Sequence, residues 1–252
     1  MSEVATKTVE GAVARAFTVL ELLATAPESM RLSAVAATLD MQKSTVHRIL
    51  GTLTELGYVE QSEVSGCYRA TLRLWELGTG LITEHPIKRA AAAFLQQLHA
   101  ATRETVSLTI LSGDDVLYLD KIMSPRPIRF TTRVGSRVPA PLTAGGKAML
   151  AELPNAREII QRVRTRTPAT RRVPVANLMR ELAEVHERGY AISSYSNGVR
   201  SFAVSIRVRD GGPAAALSVS APEQRLDDGK QAQIIESLLV TSAEIAERVG
   251  PL

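Results

Sequence analysis

The chain has 252 residues, 45% hydrophobic and 22% charged, which is the balance of a folded domain protein and not of a disordered tail. No apolar run reaches the roughly 18 residues that span a bilayer, and MSEVATKTVE lacks the basic start and apolar stretch of a secretory signal, so a cytoplasmic protein with no membrane partner is expected. The lone Cys67 excludes an intramolecular disulfide, and His47, His85, His99 and His186 lie too far apart for ligand spacing, so neither a metal nor a cofactor is expected.

From Val9 onward, Val13, Ala16, Phe17, Leu20 and Leu23 recur at three- and four-residue intervals, predicting an amphipathic helix that ends before Pro27. MRLSAVAATLD predicts a short second helix with Ser33 as its N-cap and Val35, Ala36 and Leu39 on its inner side. A tight turn at Asp40 and Met41 leads into a third helix, with Val46, Ile49, Leu50, Leu53 and Leu56 on one face and Gly57 as its stop. YVEQSEVSGCYRA predicts two short strands, 58–61 and 67–70, about a turn containing Gly66. Helix, short helix, turn, helix, hairpin is the order of a winged helix-turn-helix, whose last helix enters the major groove of DNA.

A further helix, LRLWELGTGLITEHP, carries Leu72, Trp75, Leu77 and Leu81 and is closed by Pro86. It either packs on the preceding module or, as the chain's one tryptophan favours, pairs with a second subunit. IKRAAAAFLQQLHAAT is the next helix, and ETVSLTILSGDDVLYLDKI gives two strands joined by a Gly-Asp turn. PIRFTTRV predicts another strand, TAGGKAMLAEL opens a helix, and helical stretches follow at 155–164 and 175–188. SFAVSIRVRDGGPAAALSVSAP predicts a hairpin turning at Gly211 and Gly212, before a final amphipathic helix over 228–249. Strands bracketed by helices imply an α+β chain with an antiparallel sheet flanked by helices.

Charge points elsewhere. Residues 1–70 hold six Lys/Arg against eight Asp/Glu, whereas 121–180 hold thirteen against two. Charge alone would therefore put a nucleic-acid contact mid-chain, while the element order puts it at the N-terminal helix-turn-helix.

Eight stretches in collinear order resemble the isocitrate-lyase-regulator (IclR) family of bacterial transcription regulators: RAFTVLELL, KSTVHRIL with TLTELGYVE, YLDKIMSPRPIR, VGSRVP, TAGGKAMLA, ERGYA, NGVRS and ALSVSAP. The resemblance implies a winged helix-turn-helix over 1–70, a linker and dimerisation helix over 71–86, and a GAF-like effector-binding and oligomerisation domain over 87–252. It further implies double-stranded operator DNA, a small organic or aromatic acid, and the chain itself, as dimer or tetramer, as partners. Control of a catabolic operon follows, with repression favoured over activation.

On the third helix, Lys43 and Arg48 suit guanine edges or phosphates, and Ser44 and Thr45 suit phosphates or a thymine methyl. His47 shares that face. Gln42 either reaches a base or caps the helix, Ser33 is a further candidate DNA contact, and Arg69 in the wing either reaches DNA or stands in solvent.

In the second domain, TAGGKAML lacks the glycine and the Ser/Thr that a phosphate loop requires. Ala144, Gly145 and Gly146 open a helix whose N–H groups could hold a carboxylate, or else need glycine for close packing. Ser218 and Ser220 share one strand face, with Ser205 in the partner strand. The resemblance raises the reading of these hydroxyls as ligand-binding, adds Phe130 and Val138 as apolar wall, and places Ser193 and Ser201 where relatives often carry an acid and a cysteine. Ser205 stands where a proline is usual. The arginines Arg162, Arg164, Arg166, Arg171 and Arg172 default to solvated surface. No nucleophile–base pair, carboxylate pair or metal cluster suggests catalysis. The competing readings are a GAF-like small-molecule enzyme and a sequence-nonspecific nucleic-acid-binding protein.

Overall fold

The computed structural model describes residues 11–126, 132–168, 173–195, 197–208 and 212–249. The chain divides into two compact units, Met1–Leu81 and Ile82–Leu252.

In the first unit, helices α1 (Ala12–Thr25), α2 (Leu32–Thr38) and α3 (Lys43–Glu55) precede a two-stranded antiparallel hairpin, β1 (Val59–Gln61) and β2 (Tyr68–Ala70). Val19, Leu20 and Leu23 of α1, Val35 and Ala36 of α2, and Val46, Ile49, Leu50 and Leu53 of α3 form the core with Val59 and Tyr68. The turn between α2 and α3 places Asp40 at φ 50, a left-handed conformation that Asp tolerates better than most residues. Gly57, at φ 79, ends α3: its N–H reaches Thr54 O and the next N–H, of Tyr58, reaches Leu53 O, the paired bonds of a Schellman stop.

Three expectations change here. Arg31, not Ser33, precedes α2 as N-cap and makes no side-chain cap bond, so Ser33 is an exposed residue of the first turn. Val13, Phe17 and Leu56 follow the apolar period but are 72%, 60% and 59% exposed. Pro86 does not close the helix before it: α4 (Arg73–Thr83) ends earlier, and Pro86 is the first residue of α5 (Pro86–Thr102), where its missing N–H costs nothing.

The second unit is a mixed layer structure around one sheet. Strands β3 (Thr105–Ser112), β4 (Asp115–Ile122), β5 (Arg137–Pro139), β6 (Ala191–Tyr195), β7 (Val199–Arg207) and β8 (Pro213–Pro222) pair in the order β5-β4-β3-β8-β7-β6, and each pairing given is antiparallel. The part of the expected strand over 127–134 that is described, Thr132 to Val134, is not a strand; the edge strand is β5 instead. β6 has no counterpart in the sequence reading, being only five residues, AISSY, with weak alternation.

Strand alternation gives the sheet two unlike faces. Phe202, Val204, Ile206, Leu217 and Val219 point toward α5 and the terminal helix α9 (Asp228–Val249), in one core with Phe94, Leu95, Ile234 and Leu238. On the other face, α6 (Ala144–Leu150), α7 (Ala156–Arg166) and α8 (Val175–Arg188) bury Met149, Leu150, Ile159, Ile160 and Leu182 against Val116, Tyr118 and Ala216. That second face also carries the hydroxyl side chains. Across the register, Ser193 pairs with Ser201, Ser201 with Ser220, and Ser220 with Thr105, so one transverse row is entirely hydroxylic.

Candidate functional sites

Helix α3 builds the first site. Val46, Ile49 and Leu50 fix one side in the core, and the remaining side presents Lys43, Ser44, His47 and Arg48 to solvent, with Thr45 half-buried. Gln42 is the N-cap residue and makes no side-chain cap bond, so of its two expected roles the capping one is absent. Gly51 and Thr52 extend the exposed face, and Thr52 returns its hydroxyl to Arg48 O at 3.1 Å. In the wing, Arg69 is not a solvated residue on its own: its Nε is paired with Glu60 Oε1 across the β1–β2 register. The pair engages Nε, and the side chain is 71% exposed, so a phosphate contact competes with Glu60 where it uses the same N–H.

The same unit carries an apolar depression of about 570 Å³ bordered by Phe17, Leu20, Ile49, Leu56, Leu74 and Leu77. Helix α4 buries none of its side chains, and Trp75 is 66% exposed. Leu74 nonetheless packs against the core of this unit, so α4 rests on the module along one side and leaves Trp75, Leu77 and Leu81 exposed.

The second site is a small cavity of about 10 Å³, roughly enough for one water, between the hydroxylic sheet face and α6. Thr109, Tyr118, Thr143, Tyr195, Ser201 and Ser218 border it, together with Ser220, Ala144 and Gly145. Thr109, Tyr118 and Tyr195 have no local signal, since only strand pairing brings them to the expected serines; Thr143, the N-cap of α6, stands directly before the expected Ala144. Ser201 Oγ and Ser220 Oγ are 2.6 Å apart. Burial pushes the Tyr195 pKa up, and hydrogen bonding with Ser201 and with the Ala144 backbone N–H offsets part of the rise. Ser193 is 7% exposed, and its Oγ sits beside the Tyr195 hydroxyl without closing a well-aligned hydrogen bond.

The expected glycine turn divides into two roles. Gly145 borders the cavity, and a Cβ there would lie 2.9 Å from Thr109 Oγ1. Gly146 does not offer its N–H to a ligand: it donates to Thr143 Oγ1, the N-cap of α6, at 2.9 Å. A Cβ on Gly146 would lie 2.1 Å from Ala140 O, so close packing requires glycine there. Val138 is half-buried on β5 with the α6–α8 core and does not border the cavity. Phe130 lies outside the described residues. Ser205, on the same face as Ser201, has a buried Oγ without a hydrogen-bond partner.

Beside the cavity, Tyr118 is pushed up to about 12 by burial and by the neighbouring Tyr195, an effect partly offset by a hydrogen bond with Thr132. Thr132 also receives Lys121 Nζ, at 3.0 Å to both its O and its Oγ1. Half-burial lowers the Lys121 pKa to about 8. Since the unfolded chain keeps that proton to about pH 10.4, it binds more protons than the folded chain between these values, and raising pH through this window favours the folded state. An NMR titration of ¹⁵N-labelled lysine side chains is expected to show one midpoint near 8; a Lys121 midpoint above 10 would contradict the desolvated environment.

Part of the basic block is paired with acids. Arg162 grips Asp114 with its Nη2 2.8 Å from Oδ1, and Arg166 reaches Asp115 at 2.6 Å, so these two are not merely solvated surface. Arg137 binds Ser112 Oγ at 2.7 Å. The partners come from β3, β4 and the turn between them, outside the segment whose charge was counted. Arg171 and Arg172 lie outside the described residues.

A winged helix-turn-helix with a polar outer face on its third helix, followed by a helix-flanked antiparallel sheet enclosing a hydroxyl-lined cavity, defines a helix-turn-helix transcription regulator with a separate C-terminal domain. Residues 12–63 match the IclR helix-turn-helix domain and residues 79–247 match the bacterial transcriptional regulator IclR C-terminal domain. The chain belongs to the IclR family of bacterial transcriptional regulators. It is 32% identical over 244 residues to the HTH-type transcriptional regulator XynR of Escherichia coli, covering 94% of this chain and 96% of that one. It is 32% identical over 215 residues to KdgR of the same organism, covering 83% and 82%. Among solved structures it is similar to the Thermotoga maritima IclR, with TM-score 0.74, 27% identity and coverage of 95% and 98%. It shares the fold of an IclR homolog from Microbacterium hydrocarbonoxydans complexed with 4-hydroxybenzoate, with TM-score 0.79, 24% identity and coverage of 95% and 99%.

Proposed function

We propose that this chain is a cytoplasmic, ligand-responsive regulator of a catabolic operon and not an enzyme, reading double-stranded operator DNA with α3 and binding a small organic or aromatic acid in the hydroxyl-lined cavity. Repression is favoured over activation. Residues 1–70 form the DNA-binding module, 71–86 the linker and dimerisation helix, and 87–252 the effector and oligomerisation domain. The chain acts as a dimer or tetramer, with the exposed apolar side chains of α1 and α4 meeting those of a second copy.

The observation that carries the reading is the division of α3 itself: Val46, Ile49 and Leu50 are buried while Lys43, Ser44, His47 and Arg48 are exposed on the side opposite the core. Ser33, Gln42 and Arg69 supply supporting phosphate contacts. A dimer doubles these few cations on one face, which offsets the acidic balance of the N-terminal segment.

The test is footprinting on the DNA flanking the gene, with and without a panel of small organic and aromatic acids. A protected inverted or repeated site that is released by one acid supports the proposal. Protection without sequence preference that vanishes with salt would favour a nonspecific binder, and turnover of an acid without a footprint would favour an enzyme. Within this test, Arg48→Ala is expected to weaken operator binding by about 1–3 kcal/mol if Arg48 reads a base. Unchanged affinity at fixed salt would assign base reading to its neighbours on α3.

A further inference from the structure

We propose that Tyr195 is a displaceable plug, its hydroxyl occupying the donor set that an acid ligand would use, so that ligand entry must expel the ring and thereby move the end of β6. This rests on the reading of the cavity as the acid site. Three observations converge. The cavity, at about 10 Å³, has no room for an acid as it stands. Ala144 and Ser201 border the same cavity as Tyr195, so the groups that would meet an acid there, the Ala144 N–H and the Ser201 hydroxyl, lie against the Tyr195 hydroxyl. The buried Ser193 Oγ stands next to that oxygen with no well-formed bond of its own, a hydroxyl available to a second ligand oxygen.

Chemistry favours the exchange. Burial keeps the phenol neutral at ordinary pH, and hydrogen bonds to a carboxylate are roughly twice as strong as those to a neutral oxygen. The ring is placed to transmit its departure. Tyr195 is the last residue of β6, an edge strand, and pairs with Val199 across the short connection to β7. Edge position leaves the strand end held from one side only, so the ring's removal perturbs this corner of the sheet before the interior strands β3 and β8.

A plug that is seated nine-tenths of the time lowers apparent affinity about tenfold, and removing it restores that factor. The experiment compares wild type, Tyr195→Phe and Tyr195→Ala by thermal shift against acetate and benzoate, with far-UV circular dichroism confirming the fold of each. Benzoate can replace both the deleted ring and its oxygen, and is expected to reach half-saturation at a concentration about tenfold or more lower in Tyr195→Ala than in wild type. Acetate should do likewise in Tyr195→Phe, which keeps the ring and carries the test if the alanine variant does not fold. Equal half-saturation in all three proteins overturns the plug while leaving an acid site. Weaker acetate binding to Tyr195→Phe also overturns it, by making the hydroxyl a ligand contact. No saturable response in any of them removes acid site and plug together. If the probes saturate as expected but the operator footprint ignores them, the plug stands and the regulatory reading falls.

Discussion

Glu104→Ala should destabilise the C-terminal unit by about 3 kcal/mol, the low end of what loss of one partner from a buried ion cluster costs. The carboxylate side chain is 2% exposed and is held by Arg126 Nη1 at 2.6 Å, by Arg225 Nε at 2.9 Å and by Arg225 Nη2 at 2.7 Å. Removing it takes from both guanidiniums the buried carboxylate that they share. Their side chains are 40% and 24% exposed, so water relieves part of the penalty, and for that reason the low end applies. The loss should appear as a fall of roughly 6–12 °C in the midpoint of the circular-dichroism transition, for a unit of this size. Trp75 belongs to the other unit, so its fluorescence transition serves as an internal control. Arg126→Ala should cost far less, because the Arg225 fork still satisfies the carboxylate. A Glu104→Ala loss below about 1 kcal/mol would mean that the cluster is a surface pair in energetic terms.

Gly146→Ala should cost about 3 kcal/mol, even though alanine is the better helix former by about 1 kcal/mol. The added Cβ would lie 2.1 Å from Ala140 O and 2.6 Å from Ala140 C and Cα, all backbone atoms that no rotamer change can move aside. Relief requires displacing α6 from the 3₁₀ turn at Ala140–Leu142, and with it the Thr143 cap. Gly145→Ala is the informative contrast. Its Cβ would press on Thr109 Oγ1, a side-chain atom bordering the cavity, so a milder stability loss with altered acid binding is expected. If Gly146→Ala unfolds like wild type in denaturant, the close packing of α6 on Ala140 is not rigid.

What the amino-acid order discloses, and what it conceals, is clearest where one rule succeeds and fails in the same helix. In α3 the apolar period correctly places Val46, Ile49, Leu50 and Leu53 in the core, but it also enrols Leu56, which is exposed. Periodicity identifies an apolar side; it does not say which neighbour covers it. The same limit applies to Val13, Phe17 and the whole of α4. Local chemistry was similarly partial. Gly57 is a stop because a positive φ is required there, whereas Ser33 has the chemistry of a cap yet is the second residue of α2, within its first turn. Pro86 has the pattern of an end and is a beginning, since proline marks either side of a break. Ser218 and Ser220 are legible from their alternation within one strand, whereas Ser201 is reached only through the family resemblance and Ser205, grouped with them by the sequence, does not border the cavity. Tyr118 and Tyr195 have no such signal, being brought beside the serines only by strand pairing across the chain. Glu104 gave no local signal either, as its fork partner Arg225 is 121 residues away.

The two faces of β7 and β8 carry a consequence for how such a domain can change. Adjacent residues, Ser201 and Phe202 or Ser218 and Val219, serve the cavity and the opposite core respectively. Point substitution at alternate positions therefore reshapes the cavity lining while the packing against α5 and α9 is left as it was. Gain or loss of a single residue inside either strand does the reverse, exchanging the faces wholesale and turning Phe202 and Leu217 toward α6. Diversification within these strands is thus confined to replacement, and variation in length is left to the connections between them.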